Sequence, residues 1–170
     1  MLRELVADRE LRAINDTAFA VTPALREAYA SGDDEELAEV AMGEAARAAL
    51  RLLAEEREAA GLHAGDDDPE HPYSGPVYRR AVIAADVTGA ALRPELDDAV
   101  VRLSGPITYN RIASVHVDLA EAEPAVAKAV DVVDAADLGD EDAEFVLGDA
   151  EDHQLAWYAT QELPFLLDLM

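Results

Sequence analysis

His116 and Asp118 stand two residues apart in the segment ASVHVDL, residues 113–119. Side chains alternate across a strand, so an imidazole and a carboxylate at that spacing project from one face. The closing block of the chain supplies Glu151, Asp152 and His153. A His/Asp/His set drawn from these two places has the donor types for Zn²⁺ or for acid–base chemistry near neutral pH. The spacing matches no metal-binding signature, however, and a wet strand face beside an aspartate helix cap accounts for the same residues. We therefore expect neither a metal site nor a cofactor. His116, Asp118 and His153 remain the candidates of an alternative reading, a small metal-dependent hydrolase.

A second group follows directly. If residues 153–163 form a last helix capped by Asp152 and ended or kinked by Pro164, then His153, Trp157 and Gln161 fall at i, i+4 and i+8 on one face. Trp157, the only tryptophan, with Tyr158, Gln161 and Glu162 would then offer a binding surface, since Trp and Tyr join large apolar area to a polar tip. The competing expectation, which we favour, has Trp157 plugging the core.

Other chemistries find less support. Ser31, Ser74, Ser104 and Ser114 lie in no G-x-S-x-G turn, and the absence of cysteine removes thiolate nucleophiles, thiolate metal sites and disulfides. No glycine-rich phosphate loop occurs. Residues 63–76 (HAGDDDPEHPYSGP) hold His63, His71 and three consecutive aspartates, Asp66 to Asp68, but read as a flexible solvated loop, not a coordination site.

The charge balance is more informative: 37 acidic residues against 13 basic ones give a formal charge of −24 over 170 residues. Such a field repels phosphate backbones and anionic lipid, so nucleic acid and membrane are not expected partners. With no leader-like N-terminus and no apolar run of membrane length, a cytoplasmic location is expected. The reading favoured here is a non-enzymatic acidic protein-binding or regulatory module, engaging a basic protein partner or assembling as a homo-oligomer.

These residues must be positioned by a mixture of helices and strands. Apolar periodicity gives helices over residues 2–11, 24–30, 35–60 and 121–136, the third closed by Gly61 and expected to lie along a sheet. β-type runs occupy 17–21, 78–88, 99–104 and 113–119, and Phe145-Val146-Leu147 reads as an edge strand or helix end. Intermingled strands and helices point to an α/β (α+β) fold, a mixed β-sheet covered by helices, in a single domain spanning 1–170.

The segments AFAVTPALREAY, AVIAADV, IASVHVD and above all DAEFVLGDAEDHQLAWYATQELPFLL carry a resemblance over nearly the whole chain. They resemble an actinobacterial family of unknown function, which brings no activity with it. Members of that family open with a strand before the first helix. The resemblance therefore implies a sheet lacking a native N-terminal strand, with a vacant apolar strand position.

Overall fold

The computed structural model describes residues 1–61 and 76–170. It is a mixed α+β fold of six helices and eight short strands among the described residues. The expected flexible loop at 63–76, with His63 and His71, lies outside those residues but for Pro76.

Helix α1 (Leu2–Asp8) stops earlier than its apolar pattern suggests, because Arg9 takes the left-handed conformation and Leu11 passes into β1 (Glu10–Leu11). Strand β2 (Thr17–Phe19) is followed by α2 (Pro23–Ala28). Thr22 caps α2 by accepting the Leu25 N–H at 3.1 Å, and Pro23 sits in the first turn, where its missing N–H costs nothing. The long helix α3 (Asp34–Ala59) opens on a reciprocal cap. Asp33 accepts the Glu35 and Glu36 N–H groups, and the Glu36 carboxylate accepts the Asp33 N–H at 3.0 Å.

Then come β3 (Ala81–Ala85), β4 (Ala91–Leu92), β5 (Val100–Arg102), β6 (Ile107–Thr108) and β7 (Ile112–Val117). Helices α4 (Glu123–Asp137) and α5 (Glu141–Glu151) precede β8 (Ala156–Tyr158) and α6 (Leu163–Leu169). Three small sheets result, ordered β1-β6, β2-β5-β4 and β3-β7-β8. Pairing is antiparallel in β1-β6 and β2-β5-β4. In the third sheet the Asp118 N–H reaches the Arg80 carbonyl and the Asp86 N–H reaches the Arg111 carbonyl, which fixes β3 antiparallel to β7.

By internal contacts the chain divides into two units. The sheet unit comprises Met1–Ala45, Val82–His116 and Trp157–Met170; the helical unit comprises Ala46–Ala81 and Val117–Ala156. In the sheet unit, Leu25, Leu37 and Ala99 are buried together with Phe19, Val21 and Val40 packed on them. Elsewhere in this unit α1 packs on α6, with Leu2, Leu5, Leu163 and Leu166 buried.

The helical unit has the larger core. Leu50, Leu53 and Ala54 of α3 meet Val126, Ala129, Val130 and Val133 of α4 and Ala143, Leu147 and Ala150 of α5. This part of α3 therefore packs on helices, not along a sheet as its alanines suggested. Small residues let backbones approach closely whichever surface they face. Phe145-Val146-Leu147 belongs to α5. The three residues are consecutive in a helix, so only Leu147 is buried while Phe145 points outward.

The α4–α5 turn follows from one glycine. Gly139 adopts φ 90°, its N–H bonding the Ala136 carbonyl at 2.9 Å while the Asp140 N–H bonds Ala135 at 3.1 Å. This is the paired arrangement that closes a helix when the next residue can take positive φ. Asp140 then caps α5, accepting the Ala143 N–H at 2.9 Å.

The expected helix over 153–163 is not formed. Asp152 closes α5, its N–H bonded to Gly148, and residues 156–158 form β8. Pro164 lies in the first turn of α6 and so begins a helix where it was read as ending one. The Glu162 carboxylate accepts the Ala159 N–H at 2.7 Å just ahead of it.

Candidate functional site

Asp118 lies at the end of β7 in the helical unit and is 1% exposed. Its partner is Arg80, 2% exposed, on the segment entering β3. Arg80 Nε donates to Asp118 Oδ2 and Nη2 to Oδ1, both at 2.8 Å, and the Arg80 N–H also donates to Oδ2 at 2.8 Å. Nη2 further donates to the His153 carbonyl at 2.7 Å. A planar guanidinium matched to a carboxylate by two parallel bonds is the strongest common form of ion pair, and here it is shielded from water. Asp118 thus occupies a buried clasp, not the wet strand face expected for it. Four hydrogen bonds around the pair offset the desolvation of both charges.

His153 enters this clasp through its backbone carbonyl, not its imidazole. His116, in the sheet unit, bonds instead to Ser114, its Nε2 lying 3.0 Å from Ser114 Oγ. Burial holds the His116 imidazole below its usual pKa, which keeps it neutral at neutral pH. A neutral imidazole on a serine hydroxyl is the first half of a nucleophile–base pair. Ser114 is buried, though, and neither of the two clefts described below includes it. Among the described residues no group of three His, Asp or Glu side chains is placed to hold a metal ion.

Trp157 stands on β8, 61% exposed. It does not plug the core, and the stripe His153-Trp157-Gln161 has no helix to carry it. Tyr158 is half-buried, and Gln161 and Glu162 are exposed in the turn before α6. What secures this segment is Thr160, whose hydroxyl donates to the Ile112 carbonyl at 3.1 Å while its own carbonyl accepts the Tyr109 hydroxyl at 2.8 Å. Arg9 covers the ring of Tyr109 at 3.6 Å from its centroid, a cation–π contact.

The remaining arginines of the helical unit are also engaged. Arg47 binds Glu144 and Asp137, Arg51 binds Asp137, Arg57 binds Asp131, and Arg79 binds Glu123. The Asp137 carboxyl is held below its usual range, chiefly by the hydrogen bond from Arg51. Against this, α5 leaves acids unpaired. Opposite its buried stripe stand Glu141, Asp142 and Asp149, exposed and in no ion pair among the described residues, with Phe145 in their midst at 76% exposure. Residues 141, 142, 145 and 149 recur at helical spacing, so they share one side. Leu138, at the turn, is 90% exposed.

Among the described residues, two of the clefts open in the sheet unit. The smaller, about 180 Å³, is lined by Asp86, Thr88, Thr108 and Arg111. The larger, about 300 Å³, lies at Asn15, Thr17, Arg93, Leu96 and Arg102. No helix among the described residues is long and apolar enough to cross a membrane.

A family model described as a family of unknown function, DUF6912, matches residues 1–167. The chain belongs to that family. No curated protein and no solved structure matches this DUF6912 chain.

Sequence reasoning missed Arg80 because its place opposite Asp118, one residue before β3, is set by the antiparallel pairing of β3 with β7 and not by any local pattern. It missed the Ser114–His116 pair for a similar reason. Both stand on one strand face, and whether that face meets water or closes over the pair is decided by tertiary packing.

Proposed function

We propose that this protein is a non-enzymatic binding or regulatory module that docks a basic protein partner on the outer face of α5. The supporting observation is the exposed Phe145 set among Glu141, Asp142 and Asp149. A large aromatic left in water on a helix that already buries its own stripe is an anchor awaiting a pocket. The unpaired carboxylates around it select for Arg and Lys and against acidic partners. The arginines of the helical unit are engaged by other acids, so none of them competes for this face. The catalytic alternative is disfavoured because both carboxylate oxygens of Asp118 are already bonded to Arg80.

The test is a titration with a labelled amphipathic peptide carrying arginines around a leucine stripe, read by fluorescence anisotropy. Saturable binding is expected, weakened about tenfold by Phe145→Ala and progressively by added salt. An unchanged helical circular dichroism spectrum would show that the variant is folded. Binding that ignores both the substitution and the salt, or no binding, overturns the reading.

A further inference from the structure

We propose that the larger cleft of the sheet unit is a binding site for a small organic oxyanion, one with a carboxylate or phosphate head and a short apolar body. This stands apart from the α5 face and does not depend on it. The cleft sits on one side of the sheet β2-β5-β4. Arg102 is in register with Thr17 on one neighbour and Ala91 on the other, so those three side chains project from the same face. Arg93 lies two residues beyond Ala91, with its N–H on the Val100 carbonyl, and so rises on that face as well.

Arg102 and the terminal nitrogens of Arg93 present donors on the same face of adjacent strands, which an anion between them would satisfy. Arg93 is steadied by Glu95 through its Nε, which leaves its terminal nitrogens available. Arg102 has no partner among the described residues, in a chain with 37 acids to choose from. The Thr17 hydroxyl and Asn15 amide add neutral donors beside the two cations, while Leu96 and Val100 give the cleft apolar wall. Paired forks with neutral donors suit the planar oxygens of a carboxylate or the oxygens of a phosphate, and about 300 Å³ accommodates a head group with a few carbons. The net charge of −24 opposes such a ligand at long range, but at contact the local cations dominate, since distant charges are screened beyond about 8–10 Å.

The experiment titrates inorganic phosphate and, separately, isobutyrate into the full chain at constant ionic strength, following the arginine Nε–Hε NMR signals. Saturable shifts confined to Arg93 and Arg102 are expected. Saturation by phosphate alone or by isobutyrate alone identifies the head group, and either supports the site. Arg102→Gln should weaken binding about tenfold, and Arg102→Lys, which keeps charge but loses the fork, by less. Arg3→Gln, with the same change in net charge, should leave affinity unaltered. If neither probe saturates at tens of millimolar, if all arginine signals drift together, or if Arg3→Gln weakens binding as much as Arg102→Gln, the proposal fails.

Discussion

The two units use the same scarce cations differently. In the helical unit Arg47, Arg51, Arg57, Arg79 and Arg80 each hold at least one acid, joining α3 to α4 and α5 or fastening the entry to β3. In the sheet unit Arg12, Arg26 and Arg93 hold only acids near them in sequence, and Arg102 and Arg111 stand exposed without an ion pair among the described residues. Composition does not distinguish these fates; what differs is the surface each arginine is born on. The arginines of α3 face carboxylates carried by the packed helices α4 and α5, and pair with them. A short strand in a three-stranded sheet sets its arginine beside Thr17 and Ala91, and pairing does not arise.

The comparison can be attacked first at its strongest point. Asp118→Ala leaves the Arg80 guanidinium buried without its counter-charge and should destabilise the protein by about 3–5 kcal/mol in urea denaturation. The double substitution Arg80→Met with Asp118→Leu should recover much of that loss, because the cost lies in stranding a charge more than in losing the pair. A double variant as unstable as the single one would mean that the clasp supplies net stability of its own.

A smaller effect is expected at the half-exposed network. The Asp137 carboxyl is depressed below its unfolded value of 3.8, so its stabilisation is complete above that value and is lost as pH falls through the folded value. Arg51→Gln should therefore cost about 0–1 kcal/mol at neutral pH, with the difference from wild type shrinking below about pH 4. A difference that persists undiminished at pH 2 would place the effect of Arg51 in its stem packing instead.

The least effect belongs to Arg102. Arg102→Gln should change stability by no more than about 0.5 kcal/mol in ligand-free buffer, as measured by thermal denaturation. A loss above 1 kcal/mol would show that this arginine has a structural partner and would erase the contrast between the units.

Much of the architecture was legible in the residues. The apolar periodicity of 35–60 with Gly61 behind it, the β-type run at 17–21 and the alternation through 113–119 each carry a local physical signal, and the elements formed at or near those marks. The end of the chain was misread because Trp157 and Gln161 happen to fall at helical spacing from His153, and Pro164 was taken as a terminator. A proline is equally at home in the first turn, and the glutamate two residues before it was the signal that a helix starts there. The clasp was not legible for a different reason. Strand register between residues 38 positions apart is decided by sheet pairing, so no local pattern could bring Arg80 to Asp118. Exposure was misjudged where a single residue carried the decision: Trp157 was assigned to the core by its type, yet a strand of three residues at a sheet edge has little room to cover it.

The tight link at Gly139 bears on how the chain acquires its structure. Because only Leu138, Gly139 and Asp140 separate α4 from α5, these helices can find each other while sacrificing little chain freedom. The ladder between β1 and β6, by contrast, unites segments from opposite ends of a long stretch of sequence and must wait for a much larger loop to close. The helical hairpin is accordingly the natural nucleus, and amide protons on its buried stripe should gain protection before those of any sheet.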